Sequence, residues 1–143
     1  MKKIIAFLLA SLLCFSICAC GGDEKLTEEE LLKTAVSTDI QTLQTAAYEN
    51  KLKAKEDYCN KSIIISGTVL SVEEDYVVLH DSSKVFLDAY LSVDDLTSIS
   101  SGDRITVVGI ISDIQDKEVS FGGFIEPSFT SPHYIMNLGY LVQ

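Results

Sequence analysis

Positive charge is scarce in this chain of 143 residues: 11 lysines and arginines stand against 21 aspartates and glutamates, a formal net charge of −10. A dedicated nucleic-acid binder needs a basic field to meet the phosphate backbone, and this balance argues against one. Signatures of catalysis are missing as well. The chain has no Cys-x-x-Cys pair, no phosphate-cradling glycine loop and no Gly-x-Ser-x-Gly elbow. Its histidines are His80 and His133, and neither has a matched nucleophile. His80-Asp81 fails as an acid–base pair because neighbours on a strand point to opposite faces. Asp94-Asp95, and Asp113 with Asp116, lack the spaced carboxylates and glycine of a tight calcium loop and read as turn and cap residues. No enzyme, no catalytic residue, no metal and no cofactor are expected. Internal repeats and low-complexity stretches are also absent. The length fits one domain, and an apolar fraction of 47% excludes disorder and collagen-like repeats.

What is present begins with an address. Lys2 and Lys3 precede an apolar run from Ile4 to Ile17 that is too short to span a bilayer as a mature helix. The run ends in Ile17-Cys18-Ala19-Cys20-Gly21-Gly22, which resembles a bacterial lipobox. Cys20 has an aliphatic residue three positions before it and a small one just before it. It is the expected site of diacylglyceryl attachment, with residues 1–19 as a signal peptide and 20–26 as a tether. The alternative is an ordinary secretory signal cut near Ala19. Without residues 1–19 the chain has 124 residues, and the loss of two lysines and no acid takes its charge to −12. Cys14 and Cys18 leave with the signal and Cys20 carries lipid. Cys59 is then the lone free thiol, no internal disulfide is possible, and a partly buried apolar role is expected for it.

Residues 27–58 read as an N-terminal helical segment. Thr27-Glu28-Glu29-Glu30 has the form of a capping box, and Leu31, Leu32, Ala35 and Val36 make one apolar stripe. A second start at Thr38-Asp39 leads into Ile40, Leu43, Ala47, Ala54 and Tyr58 at helical spacing. Helices are expected over 28–36 and 39–57. Lysines 51, 53 and 55, with acids 49, 56 and 57, make a mixed-sign solvated face.

From Ser62 the period changes to two. Strands are expected at Ser62–Val72, Tyr76–His80, Val85–Leu91, Arg104–Ser112 and Tyr134–Val142. In the first, Ile63, Ile65, Gly67 and Val69 share a face, and Val72 falls out of phase, which predicts a bulge near Leu70–Ser71. Val93, Leu96 and Ile99, spaced by three, predict one or two helical turns over 92–101. Residues 113–132 read as a long connection holding an extra strand at 118–125, a bend at Gly122-Gly123, and Pro127 and Pro132 at its end. In the second and third strands, Val77 and Leu79 should face the core with Val85, Leu87, Ala89 and Leu91. A two-residue turn at Ser82-Ser83 would mismatch these faces, so a loop of three or five residues, or a bulge, is expected. Tyr76, Val78, His80, Phe86, Asp88 and Tyr90 then share the outer face.

A long bulged strand, a hairpin, a short helix and two closing strands describe an OB-fold barrel. The fold class expected is mainly β with N-terminal helices: a five-stranded barrel over 59–143 preceded by one or two α-helices. Tyr48-Glu49-Asn50, Ala54, Tyr58 and Lys61, then Ile63-Ile64-Ile65-Ser66-Gly67-Thr68-Val69, and later Ser101-Gly102-Asp103-Arg104-Ile105, together resemble the tRNA_anti-like family of bacterial OB-fold proteins. The long stretch from Asp113 and Leu87-Asp88-Ala89, where a cysteine would fit the family, depart from its pattern. The resemblance implies the fold and no catalytic residues. Tyr76, His80, Phe86 and Tyr90 are the candidate ligand-binding residues, since OB-folds bind on that face and aromatics stack on rings. If the helix over 39–57 covers the face, they are packing instead. The expected function is a non-catalytic binding module, anchored by lipid on the extracytoplasmic face of the cell membrane. Its ligand would be a protein, glycan or small molecule, with nucleic acid not expected. The alternative by fold analogy is a single-stranded oligonucleotide binder. The anchor is directly testable: a radiolabelled lipid precursor should enter the wild-type chain in the membrane fraction and be absent from Cys20→Ala, and equal labelling of both would refute it.

Overall fold

The computed structural model describes residues 25–81, 86–119 and 129–142, and the lipobox with Cys20, the loop at Ser82-Ser83, Val85, Gly122-Gly123 and Pro127 lie outside them. The fold is mainly β with a few helices. Helix α1 (Glu28–Thr34) is followed by the two-residue strand β1 (Val36–Ser37) and helix α2 (Ile40–Tyr58). Strands β2 (Ser62–Val72), β3 (Tyr76–His80) and β4 (Phe86–Tyr90) come next, then helix α3 (Val93–Thr97) and the long strands β5 (Arg104–Val119) and β6 (Phe129–Leu141). The six strands form one mixed sheet in the order β1-β2-β3-β4-β6-β5, and β2 also pairs with β5. Pairing therefore runs round β2, β3, β4, β6 and β5 and returns to β2.

The local chemistry explains each start. Thr27 caps α1 with the expected box: its hydroxyl accepts from the Glu30 amide at 3.3 Å, and the Glu30 carboxylate accepts from the Thr27 amide at 2.9 Å. Leu31 is buried, but the rest of the expected stripe does not hold, because the helix stops at Thr34 and Val36, 51% exposed, pairs beside Ile63 in β1. Asp39 caps α2 by accepting from the Thr42 amide at 2.7 Å. The middle of α2 is interrupted at Asn50, whose extended backbone breaks the helix while its side chain accepts from the Lys53 amide at 3.0 Å. Asn50 is thus the N-cap of a second helical run that carries Ala54, buried, and Tyr58, whose ring meets Tyr134 edge-on at 6.3 Å. Asn50, Ala54 and Tyr58 of the family-like stretch thus bend and seat a helix, while Tyr48 is 56% exposed.

Along β2, Ile63, Ile65, Gly67 and Val69 are buried as the alternation predicts, and the register against β3 slips between Val69 and Ser71, where the bulge was expected. Gly67 lets the layers approach closely there: a Cβ would come within 2.8 Å of Ile40 Cδ1 and 3.1 Å of Leu79 Cβ, and both would have to give way. The N-terminal turn of α2 uses that space to lay Ile40 and Leu43 over the interior. The β3–β4 register pairs Val77 with Ala89, Leu79 with Leu87 and His80 with Phe86, which leaves five residues between the paired ends. Leu96 in α3 and Ile99 just beyond it are buried, but Val93, the first residue after the N-cap Ser92, is 69% exposed.

The second half departs most from expectation. β5 does not stop at Ser112 but continues to Val119, and β6 begins at Phe129 and runs through Pro132. The described parts of the supposed connection, 113–119 and 129–132, are a ladder, with Ile114 opposite Tyr134 and Lys117 opposite Ser131. Pro132 lies in β6 opposite Asp116 of β5, one residue before the described pairing with β4 begins at Phe86 and His133. The extension brings Asp113 and Asp116 to α2, where Lys55 meets Asp113 at 2.6 Å and Lys51 meets Asp116 at 2.7 Å. Of the three lysines expected on a solvated face, only Lys53 stays within its helix, pairing with Asp57 at 2.5 Å. Cys59 closes α2 as its C-cap, partly buried against the core as expected. If Asn50 acts as an internal cap, Asn50→Ala should cost about 1 kcal/mol, read as a lower urea midpoint at unchanged slope, and Asn50→Asp should cost far less.

Candidate ligand-binding face

The outer face of β3 and β4 carries Tyr76, Val78 and His80 opposite Tyr90, Asp88 and Phe86, the grouping that the alternation predicts. Helix α2 does not cover it; α2 buries Ile40, Leu43, Ala47 and Ala54 in the interior cluster and packs on β2, β5 and β6. The face is instead joined from its open flank by β6 and β5. The parallel pairing of β4 with β6 sets His133 beside Phe86 and Ile135 beside Asp88.

Asp88 is the centre of the arrangement, with 1% of its surface exposed. Its Oδ1 accepts from Nδ1 of His133 at 2.8 Å and its Oδ2 accepts from the Lys117 ammonium. Burial by itself pushes the Asp88 carboxyl up, but the hydrogen bonds from His133 and Lys117 outweigh it and hold the group below the usual carboxylate range. Burial likewise lowers Lys117, and the bond to Asp88 more than restores it, so its ammonium is held above the ordinary lysine value. Donation from Nδ1 puts the proton of a neutral imidazole on that atom. Among the described residues, Nε2 is buried with no hydrogen-bond partner.

Aromatic rings frame these charges. Phe86 is buried at 2% exposure, and its ring stacks on His133 at 4.9 Å and 31°. Tyr76 and Tyr90 stack on each other at 5.1 Å, and the Lys117 ammonium lies 5.7 Å from the Tyr76 ring centre. Both tyrosines are half-buried. The four candidate residues therefore divide. Phe86 is packing, Tyr76 and Tyr90 form an accessible pair, and His80 is half-buried, its Nδ1 donating to the Asp81 carbonyl at 2.9 Å.

Two members of the cluster were missed in the sequence. His133 reads there as a loop residue after Pro132 but lies in β6, 7% exposed. Lys117 reads as part of a connection but lies in β5. The available signal was Asp88 itself. An acid alternating into an apolar strand calls for a cation, and beyond Lys61 the basic residues are only Lys84, Arg104 and Lys117.

The fold and this patch define a mainly β domain with a neutralised ion cluster set among aromatic rings. The chain belongs to the tRNA_anti-like family, whose model matches residues 1–121. A lipoprotein from Klebsiella pneumoniae, provisionally assigned as nucleic acid-binding, has a similar fold. It superposes with a TM-score of 0.57 at 17% identity, over 82% of this chain and 99% of its own. A protein from Leishmania major, provisionally assigned as an aspartyl-tRNA synthetase, superposes with a TM-score of 0.40 at 13% identity, over 76% of this chain and 21% of its own. No curated protein sequence matches.

The ion cluster makes stability depend on pH in a definite direction. Asp88 binds protons less readily folded than unfolded, so its contribution is complete above about pH 4 and falls away as acid protonates it. Lys117 has the opposite shift, and its contribution is complete below about pH 10 and is lost as the pH rises further. In denaturant melts, Asp88→Asn should flatten the acid limb and cost about 2–4 kcal/mol at neutral pH, because it strands His133 and Lys117. An unchanged acid limb would show that the carboxylate is not held by these partners.

Proposed function

We propose that the chain is a non-catalytic binding module: an OB-fold barrel held at the extracytoplasmic face of the cell membrane by lipid on Cys20, with its ligand on the outer face of β3 and β4. The closed circuit of pairing through β2, β3, β4, β6 and β5 supports the barrel. The Ile17–Cys20 pattern and the likeness to a lipoprotein support the anchor. The observation that carries the binding role is the Tyr76–Tyr90 pair, half-exposed and stacked at 5.1 Å on a face that α2 leaves open. Stacked rings beside a cation favour flat or ring-shaped ligands. Catalysis is disfavoured because Nδ1 of His133 is engaged by Asp88 and its Nε2 is buried among the described residues.

The second reading is single-stranded nucleic-acid binding, favoured by the family and by the assignment of the Klebsiella protein. Against it stand the net charge of −10 and the use of Lys117 to neutralise Asp88. The two readings separate by salt. Full-length chain in detergent should retain cell-wall glycan, peptide or small-molecule probes at both low and high salt, and Tyr76→Ala/Tyr90→Ala should lose them. Retention of oligothymidine alone, falling steeply with salt, would replace the first reading with the second. No retention of any probe would remove both.

A further inference from the structure

We infer that the cleft between Tyr90 and Tyr140 is a subsite for one ring of a neutral saccharide; this rests on the binding-module reading and names its ligand class. The cleft arises where two strands part. β4 and β6 pair from Phe86 opposite His133 to Ala89 opposite Met136, and their recorded pairing ends there. β6 then bends at Leu138, whose φ of 53° lies in the left-handed region that a bulky side chain rarely adopts. Gly139 follows, and it has to be glycine. A Cβ there would approach the Tyr90 carbonyl oxygen at 2.7 Å and Leu91 Cδ2 at 2.8 Å. Backbone strain held in place by its surroundings is characteristic of binding sites.

The space that results is about 260 Å³ and is lined by Tyr90, Tyr140, Asp75, Ser92 and Lys25 among others. That is a little below the roughly 300 Å³ at which drug-sized pockets begin, and it suits a single ring. The N-terminal segment is pinned as one wall: the Tyr140 hydroxyl donates to the Leu26 carbonyl at 2.8 Å, and Lys25 Nζ lies 5.9 Å from the Tyr140 ring centre. Tyr90 also stacks on Tyr76, so the cleft opens directly onto the tyrosine pair.

The lining chemistry selects the ligand. Lys25 and Asp75 carry opposite charges, so the cleft has no net charge to draw in an ion. An anionic ligand also meets the field of a chain with net charge −10. An apolar ligand would desolvate the charges of Asp75 and Lys25 and offer them no hydrogen bond in return. A polyol ring meets every requirement at once. Its hydroxyls donate to the Asp75 carboxylate and accept from the Lys25 ammonium, and its C–H faces lie against tyrosine rings, while Ser92 stays engaged with Asp95 as the cap of α3. A second ring in the same chain would reach Tyr76.

The test titrates full-length protein in detergent with the hexamers and monomers of N-acetylglucosamine and of glucose, read by calorimetry and by amide chemical shifts. A hexamer should bind and shift amides at 90–92 and 138–140. Affinity should fall about tenfold in Tyr140→Ala and several-fold in Asp75→Ala, a residue in an exposed turn, and should persist in Tyr140→Phe. Tighter binding of hexamer than monomer identifies a polymer as the source, and equal binding identifies a free sugar. Failure of all four sugars at about 10 mM, or affinity unchanged in both folded alanine variants, would overturn the assignment. If the sugars fail while another probe binds in a Tyr76-dependent way, the saccharide assignment falls and the binding module stands. If no probe binds, both fall.

Discussion

An ionised carboxylate buried in a strand costs several kcal/mol unless partners with charge and good geometry surround it. Asp88 meets that condition with Lys117 from β5 and His133 from β6, two residues that lie 29 and 45 positions away along the chain. Much of the second half of the structure follows from satisfying it. β5 must continue past Ser112 for Lys117 to reach the face, and β6 must begin before Tyr134 for His133 to lie beside Phe86. The extended ladder then presents Asp113 and Asp116 to the lysines of α2. One buried charge thereby links the β3–β4 face, the β5–β6 pair and the helix on another side of the sheet.

The same constraint shapes what the face can bind. Lys117 would be the natural contact for a phosphate, but its charge is committed to Asp88 and its position over Tyr76 is fixed by that bond. Phe86 is sealed against His133, and the tyrosines at the other end stay half-exposed. What remains is an aromatic edge with little net charge in a strongly acidic protein. On the proposed binding reading, such an edge would discriminate by ring shape and hydroxyl pattern more than by electrostatic pull. It departs from the chemistry that a tRNA_anti-like name brings to mind, and a shared fold does not carry a shared ligand with it.

Where packing repeats along the chain with a fixed period, the outline was legible beforehand. The alternation in Ser62–Val72 located the buried face and the bulge, and the parity of Val77, Leu79, Leu87 and Ala89 located the register of β3 against β4. The capping box at Thr27 and the cap at Asp39 were legible because they use local hydrogen bonds. The length of β5 and β6 was not. Asp113-Ile114-Gln115-Asp116-Lys117 is polar and contains no run of β-branched residues, and Pro132 reads as a stop. A ladder partner supplies what strand propensity does not, since β preference belongs largely to the neighbours.

The sequence by itself determined the address-like N-terminus, the switch from helical to alternating periodicity near Ser62, the aromatic outer face and the acidity that disfavours polyanions. Each of these depends on composition or on spacing within a few residues. Tertiary structure alone decided that Asp88 is neutralised, that His133 and Lys117 belong to the face, and that Tyr90 and Tyr140 bound one cleft. These depend on which strands become neighbours, and burial rewards that pairing only when distant segments meet.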